Sequence, residues 1–232
     1  ASNRIPMAMR CLLIESAGKR ILVDTGYGDR LTDKWRQILN IRGERRLEAS
    51  LREVGLSPAD IDIVICTHLH GDHVSGNTRW NEAGEPVATF PKAEYWVQRL
   101  ELADAQYPNE RTAGTYFAEN FAPLQVAGQL RVIDGDVEVT ADVYTSLTPG
   151  HTRSHQSVFI ESGGEAAVFL GDAAQGYWAF ERLAWVPAYD VEPLVSIHTK
   201  KRLARWALRH QARLIFEHDP HVIADLIDVA QN

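Results

Sequence analysis

Residues 67 to 73, Thr-His-Leu-His-Gly-Asp-His, carry four side chains able to hold a first-row metal: His68, His70, Asp72 and His73. Imidazole and carboxylate are ligands that zinc accepts from proteins, and this spacing supplies enough of them for more than one ion. A His-rich surface loop is the bland alternative, and the match of residue types to ligand chemistry outweighs it. Further groups stand downstream: His151 in Thr148-Pro149-Gly150-His151, Asp172 in Leu170-Gly171-Asp172, and His218 in Phe216-Glu217-His218-Asp219. Asp24, in Asp24-Thr25-Gly26, is either a plain turn aspartate or a carboxylate that orients a ligand histidine.

Each of these groups follows an apolar stretch, as a ligand at a sheet edge should. Residues 61–66 are β-branched and apolar and predict a strand ending at the His loop. Residues 9–14 and 20–23 predict a hairpin turning at 16–19, which leaves Asp24 at its end. Residues 44–54 place Leu47, Leu51 and Val54 on one helical face, closed by Gly55. Strand, helix and strand in that order make an α/β pattern. From Trp80 to Phe121 no clean period appears, and the many aromatics there suggest a lid, a substrate wall or ordinary packing. Strands are expected over 129–133, 137–139, 157–161 and 166–170, the last two joined by Ser162-Gly163-Gly164-Glu165 as a hairpin. A helix over 194–209 has a basic run read as a solvated face, and a final strand over 213–217 leads to His218.

Bulk properties exclude several classes. The chain of 232 residues has 24 Lys plus Arg against 31 Asp plus Glu, a formal net charge of −7. That balance argues against nucleic acid, which requires a basic face. No apolar run approaches the ~18 residues of a membrane helix, so no membrane role is expected. Cys11 and Cys66 form no Cys-x-x-Cys pair, and a reduced, cytoplasmic setting is the default. No linker or repeat interrupts the text, and one domain over residues 1–232 is expected. Ala1 stands where a methionine would begin a chain, which leaves room for a trimmed N-terminal segment.

His68, His70, Asp72, His73, His151, Asp172 and His218, in that order, resemble the metallo-β-lactamase superfamily, whose first loop reads H-x-H-x-D-H. The resemblance runs from Val23-Asp24-Thr25-Gly26 to Phe216-Glu217-His218-Asp219. It implies an α/β fold, the αβ/βα sandwich with two mixed sheets flanked by helices. It also implies that His68, His70 and His151 bind one ion, that Asp72, His73 and His218 bind the other, and that Asp172 bridges them. Asp172 speaks against the lactam-cleaving members, and His70 against the oxygen-reducing diiron ones. Within the superfamily the chain is most similar to quorum-quenching N-acyl-homoserine lactonases of the YtnP-like group, through residues 148–157, Gly171-Asp172 and residues 185–190. Many such lactonases place a substrate-binding tyrosine three residues after the bridging aspartate; here that position is Gln175, with Tyr177 two further on.

The resemblance therefore implies a dinuclear hydrolase that opens a lactone or carboxylic ester, an N-acyl-homoserine lactone first of all, by attack of a metal-bridging hydroxide. Two divalent ions would be its cofactors, Zn2+ before Fe, Mn or Co. Asp72 would be both a ligand and a proton shuttle to the leaving alkoxide. Asp24 and His155 are expected behind the ligands, and Trp80, Tyr177 and Trp178 in the substrate pocket, although the aromatics after Gln175 could equally bury in a core or a homodimer interface. The alternatives are a phosphotriesterase or arylesterase on the same fold, and a non-catalytic metal-stabilised binding module.

Overall fold

The computed structural model describes residues 4–41 and 47–227. The chain forms two compact units, Cys11–Ile133, and Ala1–Arg10 with Asp134–Asn232. In the first unit, β1 (Leu12–Ser16) and β2 (Lys19–Val23) make the expected hairpin. Its turn is tighter than expected, because Ala17 and Gly18 both adopt positive φ, which matches the twist of the two strands. A short helix α1 (Asp33–Leu39) follows, and α2 (Leu47–Glu53) seats Leu51 in the core. Residues 44–46 of the expected helix lie outside the described residues. Val54 is solvent-exposed instead of lying on the apolar face, since the helix ends before it and Gly55 turns away at φ 77°.

Next come β3 (Ile63–Ile65), α3 (Gly71–Val74), the pair β4 (Thr78–Trp80) and β5 (Pro86–Ala88), β6 (Glu94–Gln98), α4 (Arg99–Gln106), α5 (Ala122–Val126) and β7 (Leu130–Ile133). The five-stranded sheet has the order β1-β2-β3-β6-β7, with β2, β3, β6 and β7 paired in parallel. Here the aromatic stretch departs from the sequence reading. β6 is a central strand whose Tyr95, Trp96, Val97 and Gln98 are all buried. Burial on both faces removes the alternation by which a strand is recognised. Phe90, Tyr95, Tyr116 and Phe121 pack in the core with Val64 and Leu22, so they form neither lid nor wall.

The second unit contains β8 (Val137–Thr140), β9 (Val143–Leu147), β10 (Gln156–Ser162), β11 (Glu165–Phe169), α6 (Trp178–Glu181), α7 (Pro193–His210), β12 (Arg213–Ile215) and β13 (Ala224–Asp225). Its sheet runs β13-β12-β11-β10-β9-β8, and only the β11–β12 pair is parallel. Both large sheets are thus mixed, and both units combine sheet with helices, in agreement with the α/β expectation. The helix α7 presents Ser196, Lys200, Leu203 and Ala207, at spacings of four, three and four, as its buried face. Lys200 is a correction to the solvated basic face: only 2% exposed, it donates from Nζ to the Trp185 carbonyl at 2.6 Å. No helix among the described residues is long and apolar enough to cross a membrane.

Candidate metal centre

In the first unit, β3 stops at Ile65 and the chain passes through Thr67 to His68 and His70 before α3 begins, so α3 carries Asp72 and His73. Three imidazoles converge: the His68 ring centroid lies 4.4 Å from that of His70 and 4.0 Å from that of His73. His68 and His73 are fully buried, whereas the Asp72 side chain keeps 29% of its surface open, with Oδ2 3.8 Å from His73 Nε2.

Asp24 organises this loop. It follows β2 in the left-handed region, at φ 56°, a conformation that aspartate tolerates better than most residues. Its buried carboxylate accepts from the Thr67 N–H at 2.8 Å, the Thr67 hydroxyl at 2.7 Å and His73 Nδ1 at 3.0 Å. The Thr67 hydroxyl has one proton and gives it to Asp24, so at 3.0 Å from His68 Nδ1 it accepts. Both rings are thereby set with the proton on Nδ1 and a lone pair on Nε2. A residue absent from the sequence reading supports the same loop. Glu101 on α4, fully buried, accepts through Oε1 from the Leu69 N–H and from the Tyr116 hydroxyl, both at 3.0 Å, and the Tyr116 ring flanks His70 at 5.0 Å. Burial pushes the Cys66 thiol up to about 12, so it stays protonated beside these ligand types.

In the second unit, His151 follows Gly150, whose φ is 136° and whose hydrogen faces α7 so closely that a Cβ would lie 2.5 Å from the Ser196 backbone. That approach brings α7 and its N-terminal flank to the histidine. His151 Nδ1 donates to Asp190 Oδ1 at 3.0 Å, and Asp190 Oδ2 accepts from the Ser196 hydroxyl at 2.7 Å. His218 Nδ1 donates to the Ala8 carbonyl at 2.8 Å. Asp172 lies between the two rings, with Oδ2 3.2 Å from His151 Nε2 and Oδ1 3.0 Å from His218 Nε2. Behind it, His155 Nε2 accepts the Asp172 N–H at 3.0 Å. A chain of hydroxyls fixes that ring: Ser157 donates to the Leu170 carbonyl, Thr148 to Ser157, and His155 Nδ1 to Thr148. His155 therefore positions the Asp172 backbone and has no lone pair to offer a metal.

This arrangement fits a divalent cation. With each Nδ1 proton committed elsewhere, the Nε2 lone pairs of His151 and His218 face the two oxygens of one buried carboxylate at about hydrogen-bond distance. Acceptor against acceptor is repulsive unless positive charge lies between them. Buried imidazole nitrogens with a shared carboxylate are a donor set for zinc and its neighbours, and Asp190 behind His151 is the carboxylate that such ligands commonly have at their other nitrogen.

The three pocket aromatics end in different places. Trp178 lines a small recess, about the size of one water molecule, beside Asp172, together with Gln175, Trp185, Pro187 and Lys200. Tyr177 packs its ring against Phe216 at 6.0 Å, and its N–H donates to Asp219. Trp80 is half-exposed on β4, beneath the Arg30 guanidinium. Burial raises the Asp219 carboxyl, yet the N–H groups of Val222, His221 and Tyr177 together outweigh it and hold it below the ordinary value, which secures the loop after His218. Asp190, Ser196, Lys200 and Glu101 were missed. The segment Trp185 to Asp190 stood out in the sequence only as a likeness, with no role for its carboxylate.

The family model of the metallo-beta-lactamase superfamily matches residues 8–177. An N-acyl homoserine lactonase from Bacillus cereus is 30% identical over 94% of this chain and 83% of its own. Among solved structures, a probable metal-dependent hydrolase from Staphylococcus aureus superposes with a TM-score of 0.86 at 30% identity, covering 94% of this chain and 76% of that one. An N-acyl homoserine lactone hydrolase with N-hexanoyl-L-homoserine bound at its catalytic metal center superposes with a TM-score of 0.74 at 28% identity, over 92% of this chain and 82% of that one.

Proposed function

The chain belongs to the metallo-beta-lactamase superfamily, and from that membership we propose that it is a dinuclear metal-dependent hydrolase whose substrate is an N-acyl homoserine lactone. The observation that carries the reading is the placement of Asp172 with each carboxylate oxygen against a different imidazole lone pair. Relatives named as lactonases over most of the chain support the substrate. The ligand set follows the family motif: His68, His70 and His151 for one ion, Asp72, His73 and His218 for the other, and Asp172 shared. Imidazole-rich coordination with carboxylates favours zinc, and iron, manganese and cobalt use the same donors.

Two such ions supply a Lewis acid for a carbonyl and a lowered pKa for water, to about 7. The remaining work belongs to the chain. Asp24 and Thr67 keep His68 and His73 in one tautomer, and Asp190 with Ser196 does the same for His151. These contacts hold the ligands before substrate arrives, so no reorganisation is needed during reaction. Asp72 alone of the carboxylates in the set is partly open to solvent. It can take a proton at a carboxylate oxygen and pass it to the alkoxide that leaves as the ring opens.

The substrate reading is tested by kcat/KM on metal-loaded protein with N-hexanoyl homoserine lactone, an aryl acetate and a phosphotriester. The lactone should lead the others by about 100-fold or more, the scale of a site built for one substrate. A phosphotriester or aryl acetate in first place would replace the lactonase reading, and background rates for all three with metal bound would favour a binding module.

A further inference from the structure

We infer that Tyr189 is the substrate-orienting phenol of this site, and that it reads the amide carbonyl of an acylamino substituent on the lactone. The inference rests on the lactonase reading above. Gln175 joins the phenol to the ligands: its Nε2 donates to Asp172 Oδ2 at 2.6 Å, and its Oε1 accepts from the Tyr189 hydroxyl at 2.7 Å. Gln175 is buried, with 6% of its surface exposed, whereas Tyr189 is 52% exposed. A polar chain thus starts at a ligand carboxylate and ends on a half-exposed tyrosine. The Tyr189 ring also stands edge-on to His151, at 5.8 Å between centroids.

Of the neighbouring aromatics, Tyr177 has its ring against Phe216, and both Tyr177 and Trp178 pack against the core cluster of this unit. The reach of the chain selects the atom that is read. Gln175 stands between the Tyr189 hydroxyl and Asp172, which sets the phenol one side chain away from the ligand carboxylate. An acylamino lactone places a second carbonyl outboard of its ring carbonyl, separated by the ring carbon and the amide nitrogen. A phenol hydroxyl can leave Gln175 for that oxygen and donate to it, while Gln175 keeps its bond to Asp172.

Tyr189→Phe removes the hydroxyl and leaves the half-exposed ring in place. The test compares wild type and Y189F, both with metal content measured, on N-hexanoyl homoserine lactone and on a γ-lactone whose alkyl substituent lacks the amide. Wild type should prefer the acylamino lactone, and Y189F should lose about 10-fold of that preference, mainly through KM on the acylamino lactone. Equal losses on the two lactones, or no loss on either, would overturn the assignment, since a structural role would not distinguish them. Failure of wild type on both lactones would overturn the lactonase reading itself, and this inference with it.

Discussion

Replacing Asp24 by asparagine should disable two of the proposed metal ligands, His73, which it contacts only at Nδ1, and His68, which it reaches only through Thr67. Asparagine keeps the volume and tolerates the left-handed backbone at φ 56°, so the change is confined to one oxygen becoming an NH2. Three donors converge on the carboxylate, at 2.8 Å from the Thr67 N–H, 2.7 Å from its hydroxyl and 3.0 Å from His73 Nδ1. If the NH2 faces the Thr67 N–H, two donors meet and a charge-assisted bond worth about 1.5–3 kcal/mol is lost. If it faces the other pair, the hydroxyl must accept and then donates to His68 Nδ1, and His73 must also present a bare Nδ1. Both rings then carry the proton on Nε2, the atom that should bind metal. Loss of such a supporting carboxylate commonly costs ~10–100-fold in metal affinity, or ~1.4–2.7 kcal/mol. Competition against a chromophoric chelator measures this directly, with the urea midpoint as a check on folding. An affinity for D24N within twofold of wild type would refute the tautomer argument.

Three further outcomes follow from the same contacts. Asp190→Asn should weaken metal binding by about 10-fold through His151, and Ser196→Ala by less, because the first removes the charge behind the ring and the second only its anchor; the same chelator competition ranks them. Glu101→Ala leaves the buried Leu69 N–H and Tyr116 hydroxyl without their acceptor and should cost about 3 kcal/mol in urea denaturation. Burial, opposed by Asp190, pulls the Lys200 ammonium down to about 8 from 10.5. Between those values the unfolded chain binds more protons than the folded one, so stability attributable to this residue rises with pH there, by no more than about 1.4 kcal/mol per pH unit. In Lys200→Met that rise should vanish when melting is followed from pH 8 to 10.5.

What the sequence made legible is local. His68, His70, Asp72 and His73 are readable because ligand types and strand both lie within one short stretch, and the hairpins 12–23 and 156–169 because turn residues mark them. Residues that support the ligands are another matter. Asp190 serves a histidine 39 positions away and Glu101 a loop 32 positions away, and nothing near either carboxylate announces the partner. β6 escaped because a strand buried on both faces loses its alternation. Lys200 escaped because a lone buried ammonium inside a basic run looks like its solvated neighbours. Gln175 was visible as a departure from related lactonases, but its partner Tyr189 emerges only when the segment before α7 folds back onto it.

The central claim is a two-metal hydrolase, and one titration tests it most directly. Metal-free protein is titrated with zinc while hydrolysis of N-hexanoyl homoserine lactone and bound metal are followed together. Activity should rise until about two equivalents are bound per chain, and chelation should abolish it. Full activity at one equivalent, or activity indifferent to metal, would contradict the account.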